Sequence, residues 1–413
     1  MQRTAILILL ISGCFIGLVG GCAASPSTLR RDEIRPATRQ LVLVHYMPWY
    51  TAPPHSGGWG WHWTMNHFDP EQAIAGRQQI ASHYRPLIGP YDSGDPAVLE
   101  YHLLLMKLAG IDGVIVDWYG RADHFDYATI HCNTQALVSA AEKIGLLFAI
   151  CYEDQTIPKL IEAKKLAAGD RVSHAQSEIE WLAHNWFNRP GYVRLDGRPL
   201  LLSFGFAGLT DEEWAKVLDS PPDRWGDRLL YASEHRQRPS SAGAFDWPIP
   251  NDFPASLDRF EAQARTMPLA IPVAFPRFHD IYQQARVGPS YGSIADDDGK
   301  TWEATLARAL QGETPVVQIA TWNDWGEGTG IEPTEEFGYR DLESLQRGRR
   351  AFIEPAFAFD RDDLRLPHRL LQLRRQQPVA HEQPELDRIA GLIAQGKTRE
   401  ATFALQRLER RTR

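Results

Sequence analysis

A chain of 413 residues exceeds one average domain, and its 44 Lys and Arg against 52 Asp and Glu give a net charge of −8. That balance excludes nucleic acid as the main partner, because neutralising phosphates requires clustered cations. With 43% hydrophobic and 23% charged residues the composition is globular, not disordered or coiled-coil, and its 13 Trp, 13 Tyr and 17 Phe suit sugar rings or a large core equally.

The first element is an export signal. Arg3 precedes an apolar stretch from Ala5 to Val19 that Gly and Cys interrupt and small polar residues follow, so residues 1–22 read as a signal peptide and not a membrane span. The run VGGC ending at Cys22 resembles a bacterial lipobox, with Cys22 as the lipidated first residue. ISGC ending at Cys14 fits the same pattern but leaves an apolar segment behind the anchor, and a plain secretory signal cut near Ala24 is the remaining alternative. Every version exports the protein. With Cys22 it is a periplasmic or cell-surface lipoprotein touching a membrane only through that anchor, and residues 23–39 are the linker. Cys132 and Cys151 are expected as buried thiols, a single disulfide being the alternative in an oxidising compartment.

Eight apolar runs then alternate with amphipathic ones. Strands are predicted at Leu41–Met47, Val114–Tyr119, Leu146–Glu153, Pro199–Gly205, Leu229–Glu234, Ala242–Trp247, Leu269–Phe275 and Pro315–Trp322. Helices are predicted at Pro96–Ala109, Ile130–Ile144, Ser173–Phe187, Asp211–Asp219, Leu257–Thr266 and Trp302–Gln311. Apolar runs without alternation are strands covered on both faces, so the class is α/β and the architecture a (β/α)8 barrel over 40–355. An open doubly wound sheet is the structural alternative, but no Gly-rich nucleotide loop follows a strand. Residues 356–413 form a helical extension. Its end is a hairpin with Ile389, Leu392 and Ile393 on one stripe and Ala401, Leu405 and Leu408 on the other, joined at Gly396-Lys397.

The strand ends carry the chemistry. Tyr46, Asp117-Trp118-Tyr119, Tyr152-Glu153, Glu234-His235 and Arg277 meet on the C-terminal face of a barrel, where carboxylates and Arg bind hydroxyls and aromatic rings stack on sugars. His45, Tyr46, Trp49, Trp61, His62 and Trp63 build one wall, at least half of them by packing. After the last strand comes ATWNDWGEGTGIEP, in which Asp324 and Glu327 stand three residues apart among Trp322, Asn323 and Trp325. A pair of carboxyl groups is the usual apparatus for cleaving a glycosidic bond: one protonates the leaving oxygen and the other promotes attack at the anomeric centre. Burial against indole rings and a second acid supply the raised pKa that a proton donor needs. The glycines at 326, 328 and 330 allow a sharp turn.

The run WNDWGEGTGIEP resembles glycoside hydrolase family 99, the endo-α-mannosidases and endo-α-1,2-mannanases, and its relative family 71, the α-1,3-glucanases. HYMPWY (His45–Tyr50), GWHW (Gly60–Trp63), HFDP (His67–Pro70), YRPLIGPYDSGDPAVLEYH (Tyr84–His102) and AGIDGVIVDWYG (Ala109–Gly120) agree in order with family 99, over about residues 41–350. The resemblance implies that Glu327 is the general acid/base and that Asp324 deprotonates the sugar 2-hydroxyl on the way to an anhydro intermediate. It also places Tyr152-Glu153 on the donor side of the cleft. Family 99 has Glu where this chain has Asp324, as in the family 71-type run, so inverting displacement with Asp324 as base on a water is the alternative. No cofactor and no metal is expected, since His62 and His67 lack ligand spacing and ADDDGK (Ala295–Lys300) reads as a turn. No serine nucleophile is expected either. The expected function is an exported glycoside hydrolase acting on α-linked mannose- or glucose-containing chains. The alternatives are a catalytically inactive glycan-binding lipoprotein, or an enzyme that processes the cell's own exopolysaccharide.

Overall fold

The computed structural model describes residues 39–219, 229–376 and 383–410, so the signal, Cys22 and nearly all of the predicted linker lie outside the described residues. Eight strand positions follow one another in a ring: β1 Leu41–Tyr46, β2 Gly113–Trp118, β3 Leu147–Tyr152, β4 Arg198–Ser203, β5 Leu230–Glu234, β6 Gly243–Phe245, β7 Leu269–Ala274 and β8 Val316–Ile319. Every neighbouring pair in the ring is parallel, and β1 lies between β2 and β8. The exception to regularity is β7, which Pro272 splits into two segments. Its first half pairs with β6 and its second with β8, so nine parallel segments fill eight positions. Proline has no N–H to give the ladder. Its carbonyl still accepts from Gln318 N at 3.0 Å, which carries the sheet across the break.

The strands are buried on both sides: Val42, Val44, Ile115, Phe148, Leu201 and Val317 are fully enclosed. Around them lie α1 Pro96–Ala109, α2 Tyr127–Ile144, α3 Arg171–Leu182, α4 Asp211–Leu218, α5 Ala255–Ala264, α6 Lys300–Gln311 and α7 Arg340–Phe352. Local chemistry sets their ends. Asp95 accepts from Ala97 N before Pro96 at the start of α1, and Gly110 closes it at φ 92°. Thr210 and Glu213 form a reciprocal capping box on α4. The helix predicted at Ser173–Phe187 ends earlier, at Leu182, and passes into a π turn over Ala183–Phe187. Three further helices, α8 Leu366–Arg375, α9 Gln383–Ala394 and α10 Thr398–Glu409, form the C-terminal extension, with the two expected apolar stripes buried. Arg374 fastens it to the barrel through Glu100 of α1, at 2.7 and 2.9 Å.

Cys151 is buried as expected, but Cys132 is exposed and both are free thiols. The second turn of α2 presents Cys132 to solvent, whereas Cys151 sits on a strand enclosed on both faces.

Candidate active site

A cavity of about 360 Å³ opens on the C-terminal face of the barrel. Its lining comes from the segments that follow the strands: Trp49, Tyr50, Trp61, His62 and Met65 after β1, with Trp61 and His62 on a single helical turn, Tyr119 after β2, Tyr282 and Tyr291 after β7, and Asp324 with Gly326 after β8. Trp49 stacks on His62 at 4.4 Å between centroids, and His62 Nε2 is 3.1 Å from Asp126. Burial lowers the pKa of His62 in spite of that carboxylate. Trp61 remains 41% exposed at the rim.

The loop after β8 folds back on itself to hold the acid pair. Thr321 Oγ1 accepts from Asp324 N at 2.8 Å, and Asp324 Oδ1 accepts from Glu327 N at 3.0 Å. The segment that follows β7 runs alongside, with His279 N donating to Glu327 O and Ile281 N to Gly326 O. Gly328 has φ +68°, and a Cβ there would stand 2.8 Å from His279 O, so both the turn and the close approach require glycine. Asp324 is buried and its carboxyl is pushed up to about 7, chiefly by loss of water and also by Asp117, against the pull of the Glu327 and Gly326 amides. Glu327 lies well above the usual carboxylate range: burial comes first, then repulsion from Asp324, Asp280, Glu234 and Asp117. Its Oε2 is buried without a hydrogen-bond partner. The pair therefore presents one carboxyl that ionises near neutral pH and one that holds its proton well above the usual carboxylate range, the division of labour that acid–base cleavage requires.

The other strand-end residues separate by strand parity. Asp117 and Glu234 turn inward beneath the pair. Asp117 faces His45, while Glu234 accepts from Gly205 N and stands 3.5 Å from His235. His235, at φ +54°, also reaches Asp246 at 3.3 Å. Glu153 is buried, and its carboxyl is raised by burial and by Asp117. Trp118 and Tyr152, expected in the cleft, instead face outward toward the helices. Trp118 Nε1 donates to His131 of α2, and its ring packs against Trp181, Trp186 and Tyr152. Successive strand residues face opposite sides, so the inward Asp117 requires an outward Trp118.

The remaining expected ligands are also structural. Tyr46 is buried and bonded to His102, whose Nε2 is 3.1 Å from Glu332. Trp322 is enclosed against His102. Asn323 clamps the end of β1, accepting from Met47 N and donating to Met47 O and Tyr91 OH. Trp325 donates to Tyr50 OH and Tyr91 OH and stacks on Trp63. Of the six residues expected to form one wall, Trp49, Trp61 and His62 line the cavity, whereas His45, Tyr46 and Trp63 are buried and do not reach it.

Arg277 is the clearest reassignment. It is 1% exposed, gives Nε to Asp296 at 2.9 Å, Nη1 to Gly330 O at 3.0 Å and Nη2 to Asp341, and lies over the Phe337 ring. It ties the glycine-rich loop to α7. Arg277→Ala leaves Asp296 and Asp341 without this partner, and the expected loss is about 3–5 kcal/mol in urea unfolding. A change below about 1 kcal/mol would restore Arg277 as a candidate ligand.

Sequence reasoning passed over the excursion after β7. Asp280 organises it by accepting from Tyr282 N, Ser290 Oγ and Tyr291 N, which brings Tyr282 and Tyr291 to the cavity. Its string Gly288-Pro289-Ser290-Tyr291-Gly292 has the spacing of an esterase elbow, a match the expectation of no serine nucleophile overlooked. It lies in a long loop, not a strand-to-helix turn, and its hydroxyl is committed to Asp280. Among the described residues, donors of metal-ligand type converge at His45, Asp117 and Cys151, but both His45 nitrogens already face hydrogen-bond partners. Asp296 in ADDDGK pairs with Arg277 and Arg340 in a turn.

Residues 37–225 match the model of glycosyl hydrolase family 99, a stretch covering β1–β4 that stops short of the acid pair. The mouse glycoprotein endo-alpha-1,2-mannosidase-like protein is 24% identical over 344 residues, 75% of this chain and 74% of its own length. The rat glycoprotein endo-alpha-1,2-mannosidase is 24% identical over 343 residues, 74% and 70% of the two chains. The solved GH99 endo-alpha-mannosidase of Bacteroides thetaiotaomicron shares the fold at a TM-score of 0.57 and 20% identity, covering 79% of this chain and 98% of that one. With an acid pair beside an aromatic cavity in such a barrel, this chain is a glycoside hydrolase. More narrowly, it is a glycoside hydrolase family 99-like protein.

Proposed function

We propose that this protein cleaves α-linked mannose- or glucose-containing glycans, with Glu327 as general acid/base and Asp324 as the second catalytic carboxyl. The observation that carries the reading is the buried Asp324–Glu327 turn at the edge of the aromatic cavity. The mannosidase names of the relatives favour α-mannose among the candidate sugars. Deprotonation of the 2-hydroxyl by Asp324, through an anhydro intermediate, retains configuration. Direct displacement by a water held on Asp324 inverts it, and the shorter Asp side chain favours this second route. The Cys22 lipobox supports an exported protein held by a lipid at the periplasmic or cell surface.

The test is incubation with a panel of α-mannans and α-glucans, reading by NMR the anomer first released. Product of retained or inverted configuration from one of them is expected. Absence of cleavage across the panel by folded protein would overturn the substrate assignment.

A further inference from the structure

We propose that His45 and Asp117 form a proton-sharing pair that keeps the floor of the active site neutral beneath Asp324 and Glu327. The argument begins at Gln318, on β8. Its amide nitrogen donates to the backbone carbonyl of Asp246, which turns its amide oxygen to His45 Nε2 at 2.9 Å. An amide oxygen only accepts, so Nε2 carries a hydrogen. A neutral imidazole would then direct its Nδ1 lone pair at Asp117 Oδ1, 3.3 Å away. Two lone pairs facing each other in a dry site repel, and the contact holds only with a second proton between them. That proton sits on the imidazole or on the carboxyl, and in either case the pair has no net charge.

The surroundings give this proton a role. His45 is fully enclosed, with Trp247 and Phe245 against its ring, so no water can stand in for the missing donor. Asp117 is faced by His45 from β1, Cys151 from β3 and Glu153 just after it, Glu234 from β5, Tyr119 from its own loop, and Asp324 and Glu327 from the loop after β8. A bare carboxylate at this hub would repel four other acids. With the shared proton in place Asp324 can ionise, and without it an added negative charge below would hold Asp324 protonated. His45 and Asp117 are therefore positioning residues. Their electrostatic effect rests on the reading of Asp324 and Glu327 above, whereas the proton itself does not.

Two measurements on the full chain separate these claims. NMR of the ¹⁵N-labelled protein is expected to show a hydrogen on His45 Nε2 and a downfield proton in the Nδ1–Asp117 hydrogen bond at neutral pH. A ring with an unprotonated Nδ1 and no such proton overturns the proposal, whether or not a glycan substrate is known. For turnover, His45→Gln, which takes away the shared proton and leaves a bare carboxylate, is expected to move the rising limb of the pH–rate profile up by about one unit, and Asp117→Asn, which removes carboxyl and proton together, to leave it in place. A shift in one variant and none in the other is not the signature of a packing defect. Shifts in the same direction in both variants, or none in folded His45→Gln, refute the electrostatic role. If the NMR proton is present and no glycan of the panel is cleaved, the substrate assignment fails and the pair stands.

Discussion

Replacing Glu327 by Gln is expected to lower turnover on a cleaved glycan by about 10²–10⁴-fold, the contribution of a positioned general acid. The amide fills the same space but cannot give a proton to the departing oxygen. Stability is expected to hold or rise, because Glu327 Oε2 is buried without a hydrogen-bond partner and its charged form is opposed by burial and by four neighbouring acids. Active sites commonly carry such local cost, and an amide that cannot ionise removes it. Paired kcat and Tm measurements check this. A kcat within tenfold of the parent would remove Glu327 from the mechanism, and a collapse of Tm would mean its role is structural.

Asp324→Asn is expected to cost a comparable factor while the loop persists, since the Asn oxygen can still accept from Glu327 N as Asp324 Oδ1 does at 3.0 Å. The sign of the pH dependence follows from the two shifts. Asp324 must be ionised to act as a base, and its carboxyl stands at about 7, so activity rises with pH through that region. Glu327 must be protonated and lies well above the carboxylate range, so activity falls again on the alkaline side. Asp324→Asn should flatten the rising limb together with the loss of rate. Asp324→Glu separates the two mechanisms. The added methylene shortens the gap to Glu327, and retaining pairs stand about 5–5.5 Å apart against about 6.5–9.5 Å where a water must fit. Maintained turnover with a retained anomer supports attack through the 2-hydroxyl, and a steep loss supports displacement by water.

The barrel was legible because continuous apolar runs such as Val42–Val44 and Val114–Val116 have few other uses in a chain that also carries helix caps at Asp95 and Thr210. Orientation at the strand ends was harder to read. Trp118 and Tyr152 sit side by side in register on β2 and β3, as do Asp117 and Cys151 one step earlier. One inward residue would have placed all four, but a tripeptide of polar and aromatic residues does not announce its parity. Trp322, Asn323 and Trp325 misled differently. Their chemistry suits sugar binding, yet the loop folds them beneath the acid pair as its support. Tyr282 and Tyr291 left no trace, because the irregular excursion that carries them has no period.

Local covalent order alone settled that apolar strands alternate with amphipathic helices and that two acids share one turn at the last strand, since these depend on near neighbours and on the burial of apolar runs. Tertiary contacts decided the rest. Which aromatic rings face the cavity, that Arg277 braces a loop, and that Asp324 and Glu327 differ in proton affinity are set by groups tens to hundreds of residues apart in the chain. Water exclusion and like charge at the mouth of the barrel act through space, and no stretch of sequence contains them.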